Sequence, residues 1–327
     1  MGSLVASTAR PELVDSPLIL SLSKDERIAR GGFVEGRAIF ARGSTSSPRA
    51  GLSRWRAWLL ALITPIAVVG IASPGSAQPK PALKIGVTLH PYYSWTRNVV
   101  GDLPGYEVRS ILPGEIDAGD YQPRPDDIKK LVDLDAVVII RPNETTPQIR
   151  AVRGSGVNSH TFISFTNAIQ QTYAIQKAIT ALRPQDAAAL QKNAADYARR
   201  LRLIKSKAAQ QLAEAKITRV VTVHDGYGYL LQEFGLEVAG VVQPAHGLTP
   251  SAAELRDMVK LLQREKIRVV FSEETFPEPM LKVLRDEAGV KVYIITHIAS
   301  GAYTADKFER EMQRNVDTMI RALITEA

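Results

Sequence analysis

Residues 185–215 read QDAAALQKNAADYARRLRLIKSKAAQQLAEA, and the organisation of the whole chain turns on them. Leu190, Ala194, Tyr197, Leu201, Ile204, Ala208 and Leu212 recur every three or four residues, the spacing of one helical face. Lys192, Arg199, Arg200, Arg202, Lys205 and Lys207 surround that stripe and read as its solvated face. At ~1.5 Å per residue a helix over this stretch would run roughly 45 Å, longer than one small lobe needs. The segment therefore reads as a rigid rod between two parts of the protein.

Outward from the rod, short apolar runs alternate with helical patterns on both sides. Leu83–Leu89 and Ala136–Ile140 precede it; Arg219–Val223, Arg268–Phe271 and Val292–Thr296 follow it. Ser251–Glu265 and Glu278–Glu287 carry helical spacing between the later runs. Strands that are apolar throughout and alternate with helices belong to α/β layers around mostly parallel sheets. The expected fold is thus two Rossmann-like α/β lobes, 78–184 and 217–327, joined by one long rigid helix over 185–216.

The first 77 residues read differently. Arg54 and Arg56 precede the apolar run Ala57–Ala72, and small residues follow to Ala77. Charged, apolar and small segments in that order mark a secretory signal over 51–77. An apolar run of about 16 residues is short for a membrane span, which needs about 20. Residues 1–50 carry no sustained period and read as a misassigned or disordered extension. The expected location is the periplasm.

Composition removes several functions. Of 41 Lys/Arg and 34 Asp/Glu, nine and five fall within residues 1–77, leaving 32 and 29 in near balance. That is a solvated surface of mixed sign, with no basic stripe for nucleic acid. The chain has no cysteine, which removes disulfides, thiolate metal sites, cysteine nucleophiles and a lipid-modified cysteine anchor. No serine-hydrolase elbow, zinc-protease helix motif or phosphate loop is present either. Any metal must be held by His, Asp or Glu.

Five histidines occur, and three fall at the ends of apolar runs: His90, His224 and His297. Glu273 and Glu274 follow a fourth run. In parallel sheets, ligands bind beyond the carboxyl ends of strands, so these side chains would converge in one cleft. Imidazole and carboxylate suit zinc, and Mn2+ or Fe2+ less selectively. A zinc-dependent hydrolase is a further reading of the same residues. Tyr92, Tyr93, Trp95, Tyr227 and Tyr229 flank the histidines, as packing or as supports that orient them.

From Lys84 onward the chain resembles the zinc/manganese substrate-binding proteins of ABC importers, in their zinc-like subgroup. The resemblance rests on TLHPYYSW (88–95), NVVGD (98–102), DYQPRPDDIKKL (120–131), NSHTFIS (158–164), HDGYGYLLQEFGL (224–236), PAHGLTPSAAEL (244–255), FSEETFP (271–277) and THIASGAYT (296–304). It implies a metal site between the lobes, a permease and its ATPase as partners, a monomer, contact with the membrane only through the permease, and no enzymatic activity. It also implies His160 and His224 as ligands, His297 at the last ligand position, and Glu273 beside the site.

One position departs from the family pattern. The first histidine of the family would fall on Gly119, within Asp117–Pro123, and glycine has no side chain to coordinate with. Three outcomes follow: His90 supplies the missing imidazole, the reading favoured here; Asp120 swings in; or three ligands and a water remain. His246 is expected to line or support the cleft. A degenerate homologue with weak or no metal binding, acting as a chaperone, sensor or adhesion module, is the rival reading.

Overall fold

Two four-stranded sheets, parallel throughout, organise the chain. The computed structural model describes residues 18–21, 81–114, 122, 124–139, 152, 158–245 and 248–325. The predicted signal peptide, most of the predicted extension, Gly119, Asp120 and His246 lie outside the described residues.

The first sheet contains β1 (Leu18–Ser21), β2 (Leu83–Val87), β3 (Tyr106–Ser110) and β4 (Ala136–Ile139), in the order β1-β4-β2-β3. Helices α1 (His90–Val100), α2 (Pro125–Val132) and α3 (Phe165–Leu182) accompany it. The second sheet contains β5 (Arg219–Thr222), β6 (Glu237–Val241), β7 (Val269–Ser272) and β8 (Lys291–Ile294), in the order β6-β5-β7-β8. Its helices are α5 (Gly228–Gln232), α6 (Ala252–Arg264), α7 (Glu278–Ala288) and α8 (Lys307–Ile320). Between the sheets runs α4, Ala187–Leu212, whose 26 residues span roughly 39 Å.

The local sequence explains where these elements begin. Ser251 caps α6 by accepting from Glu254 N, and Glu254 returns the bond to Ser251 N, a reciprocal capping box. Pro91 in the first turn of α1 fixes a helical φ where a missing N–H costs nothing. This changes the setting of His90. The sequence pattern carries the first strand to Leu89 with His90 at its end, whereas β2 stops at Val87 and His90 opens α1.

The predicted stripe of α4 is its buried face, with Ile204 half-buried. One apolar cluster runs from Ile85 and Val138 of the first sheet, through Trp95, Tyr197 and Leu201, to Val220, Phe271 and Phe308. The two sheets therefore share a core. A second cluster, with Val221, Val270, Met258, Leu262 and Leu284, seals the other face of the second sheet under α6 and α7.

The chain end crosses back onto the first half. Phe308 of α8 meets Trp95 of α1 edge-on at 5.2 Å, and both side chains are fully buried. Full burial of each aromatic is worth up to about 3 kcal/mol. Arg200 of α4 pairs with Glu309 at 2.9 Å and donates to Asn98 Oδ1 at 2.7 Å. The basic residues of α4 are thus not only a solvated face. Among the described residues, no helix is long and apolar enough to cross a membrane.

Candidate metal centre

Parallel strands deliver their following loops to one edge, and three of the predicted residues arrive that way. His224 lies two residues past β5, Glu273 directly follows β7, and His297 lies three past β8. His160 comes from the other side, in the turn that leads into α3, where Ile163 N donates to its carbonyl at 3.2 Å. The imidazoles of His160 and His224 meet perpendicularly, with ring centroids 4.6 Å apart. His297 stands 5.4 Å from His224, also centroid to centroid.

The acceptors behind these rings decide their chemistry. His160 Nδ1 donates to Asn158 Oδ1 at 2.9 Å. Asn158 is fixed in that orientation because its Nδ2 donates to the carbonyl of Asp225 at 2.7 Å and to Asp225 Oδ1 at 3.1 Å. His224 Nδ1 donates to Gln243 Oε1 at 3.2 Å, and His297 Nδ1 to Glu273 Oε2 at 3.3 Å. In all three rings the Nδ1 proton is committed to an oxygen. An oxygen on one ring nitrogen leaves the other as the lone-pair donor, the usual support of a metal-ligating histidine. Nε2 of His160 and Nε2 of His224 face one another at 2.9 Å. Two lone pairs at that distance repel unless a cation or a shared proton lies between them.

Glu273 supplies the negative charge. Burial alone would raise its pKa. The bond to His297, the positive charge that His297 and His224 carry when protonated, and the Tyr227 hydroxyl, donating at 2.7 Å, hold it below the ordinary carboxylate range instead. Tyr227 is thereby a support for the site. Tyr229 is another, donating from its hydroxyl to the carbonyl of Asn158 at 2.9 Å.

The approach of the two rings needs a glycine. A Cβ at position 226 would lie 2.7 Å from His224 Cδ2 and 3.5 Å from His160 Cδ2. Next to His297, Ile298 holds φ at 62°, a conformation that costs a β-branched residue of order 1–3 kcal/mol. Its side chain is buried and its N–H is bonded to Thr296 Oγ1 at 3.0 Å, which keeps it there.

His160, His224, His297 and Glu273 are thus brought together. His90 is held in another set of contacts. Its Nε2 donates to the carbonyl of Gly301 at 2.7 Å, and its ring stacks on Tyr303 at 3.9 Å and 5°. Coordination through that nitrogen would require the bond to break. Asn158 and Gln243 were not among the predicted residues. Asn158 was legible in principle, two positions before His160 within NSHTFIS, whereas Gln243 is met only through the pairing of β5 with β6.

Two ligands about 2.05 Å from a tetrahedral zinc stand roughly 3.3 Å apart. The His160–His224 pair is tighter, so holding a metal requires it to open by about 0.4 Å. Accordingly, no three His, Asp or Glu side chains among the described residues are already arranged around one point. The donor set nevertheless fits a borderline-soft divalent ion, with imidazole lone pairs and one ionised carboxylate.

Comparison with known proteins decides the family. The profile described as zinc-uptake complex component A, periplasmic, matches residues 142–322, more than half of the chain. The chain belongs to this family. The matched span includes every residue of the cluster just described. Zinc-binding lipoprotein AdcA of Streptococcus pneumoniae serotype 4 is 23% identical over 278 residues, covering 74% of this chain and 55% of that protein. The chain spans about half the length of the curated relatives it matches. Among solved structures, the SBP FpvC of Pseudomonas aeruginosa in complex with Mn2+ is 38% identical, covers 75% of this chain and 100% of that one, and has a TM-score of 0.69. The same protein with Ni2+ covers 75% and 98% at a TM-score of 0.68. Metal-dependent lipoprotein YcdH of Bacillus subtilis, at 21% identity, TM-score 0.61 and coverage of 74% and 99%, shares the fold. The family is one of metal-binding proteins of uptake systems, built on the two-sheet α/β fold seen here.

Proposed function

We propose that this protein is a periplasmic binding protein that captures one divalent transition-metal ion, zinc foremost, and delivers it to the permease and ATPase of an ABC importer. The observation that carries this reading is the pairing of His160 and His224. Their Nε2 atoms meet at 2.9 Å while Asn158 and Gln243 occupy both Nδ1 protons. His297, supported by Glu273, is the third imidazole. Zinc as cargo follows from three nitrogen donors, from the family, and from the name of AdcA; FpvC with Mn2+ and Ni2+ makes those ions the competitors to test.

In this reading His160, His224 and His297 coordinate, and Glu273 orients His297 and offsets the charge of the ion. His90 acts through structure, holding the Gly301–Tyr303 segment that follows His297. Asp120 and His246 remain candidates to complete the coordination from outside the described residues. No substrate is transformed: capture and release suffice.

Calorimetric titration of chelator-stripped protein with Zn2+, Mn2+, Ni2+ and Fe2+ tests the proposal. One-to-one zinc binding tighter than about micromolar, exceeding manganese, supports it. Absence of binding by all four ions would leave the degenerate homologue as the better account.

A further inference from the structure

The His160–His224 pair joins residues from opposite sides of the long helix α4, yet the contacts that hold it together are not metal contacts. Helix α3 begins five residues after His160, at Phe165, and its first N–H groups have no partner within the helix. Glu233, the residue that follows α5 as its C-terminal cap, supplies those partners. Its carboxylate accepts from Thr166 N at 2.7 Å, Phe165 N at 3.1 Å and Ser164 Oγ at 2.9 Å. Ser164 Oγ in turn accepts from Asn167 N at 3.0 Å, so the first turn of α3 is fully satisfied. A carboxylate at a helix N-terminus also gains from the helix dipole. Lys205 of α4 completes the joint, 3.5 Å from Glu233 Oε1 and donating to Thr166 Oγ1 at 2.6 Å.

The same short helix grips the other side of the loop. Tyr229 donates to the carbonyl of Asn158, and Asn158 orients His160 and bonds to Asp225. Within the loop, Asn167 Nδ2 donates to the carbonyl of Thr161 at 2.9 Å. The His160 turn is therefore fastened at 158 and at 164–166 to one element, α5, which begins four residues after His224.

We infer that Glu233 is a positioning residue for the metal site: with Tyr229 it fastens the His160 turn to α5, so that His160 and His224 stand paired before a metal arrives. The inference rests on the metal-binding reading above and deepens it.

The test compares wild type, Glu233→Ala and Glu233→Gln with Leu262→Ala, a core truncation on the buried face of α6 that lowers stability without touching the seam. Zinc Kd by chelator competition, the visible absorption of the Co2+-substituted protein, and hydrogen exchange of the Phe165 and Thr166 amides in metal-free protein are read together. Removing a group that orients a metal ligand costs about 10- to 100-fold in affinity. That loss is expected for Glu233→Ala, with an altered Co2+ band, at least tenfold faster exchange at both amides, and a smaller loss for Glu233→Gln. Leu262→Ala should melt earlier with an unchanged Kd. A Kd within twofold of wild type for both Glu233 variants, or a loss no larger than that of Leu262→Ala, overturns the inference. If wild type itself binds no zinc, the metal-binding reading fails, and unchanged amide exchange in Glu233→Ala would separately overturn the seam.

Discussion

Gly226→Ala is the smallest change that reaches the paired imidazoles. Its added Cβ would stand 2.7 Å from Cδ2 and 3.1 Å from Nε2 of His224. Carbon atoms in contact rest at about 3.5–4.0 Å, so the ring or the backbone must yield by roughly 0.8 Å. The ring has little room to retreat: it is buried, bonded through Nδ1 to Gln243, and flanked by His160 and His297. Metal–ligand distances tolerate only about ±0.2 Å, so a shift of that size removes His224 from the coordination sphere. Zinc sites worth about 10–16 kcal/mol in total, divided over three or four ligands, put one ligand at roughly 3–4 kcal/mol. That is a 100- to 1000-fold rise in Kd, at about 1.4 kcal/mol per tenfold. Overpacking should also lower the stability of the metal-free protein by about 1–3 kcal/mol. Competition against a fluorescent zinc chelator at pH 7.5, with a thermal melt of the stripped protein, reads both. A variant that folds cooperatively and binds zinc within fivefold of wild type would refute the geometric argument.

Other perturbations probe separate parts of the account. Glu273→Gln retains size but removes the charge behind His297; zinc affinity should fall about 10- to 100-fold, and an unchanged titration would remove Glu273 from the site. Because Glu273 is held below the ordinary carboxylate range, it stays ionised from pH 8 to 5, and any stability it contributes is lost only as pH falls below that of an unfolded carboxylate, about 4.3. The pH dependence of binding then belongs to the imidazoles, because a protonated ring cannot ligate and metal binding must release its proton. Affinity should fall as pH is lowered, most steeply if all three rings coordinate; a flat profile by chelator competition would contradict three-histidine coordination. Phe308→Ala empties the fully buried contact between α8 and α1 and should cost about 3–5 kcal/mol in denaturant unfolding. A cost under 1 kcal/mol would mean that the chain end does not brace the first half.

The parts of this molecule legible in its sequence are those written in local periodicity. The apolar stripe from Leu190 to Leu212 marks the long helix, and runs such as RVVTV and VYIIT place His224 and His297 at a sheet edge from sequence alone. Glu273 was found by the same rule. His160 was not, since no strand precedes it; it came from the resemblance carried by NSHTFIS. His90 shows where periodicity misleads, because LKIGVTL looks like strand to its end, while β2 stops at Val87 and a helix with Pro91 in its first turn opens at His90. Asn158, Gln243 and Glu233 are partners across 2 to 69 positions of sequence. Nothing local in LLQEFGL distinguishes Glu233 from an ordinary surface glutamate. The shared core was equally hidden: a periodic stripe says that a face is buried, but not that Tyr197 and Leu201 join one sheet to the other.

Zinc K-edge X-ray absorption of the stoichiometrically loaded protein tests the central claim most directly, with His224→Ala measured beside it. The account predicts a shell of nitrogen and oxygen neighbours at about 2.0–2.2 Å, with outer-ring scattering from three imidazoles, falling to two in the variant. A zinc spectrum with one imidazole or none, or one that His224→Ala leaves unchanged, would place the ion elsewhere and contradict the account.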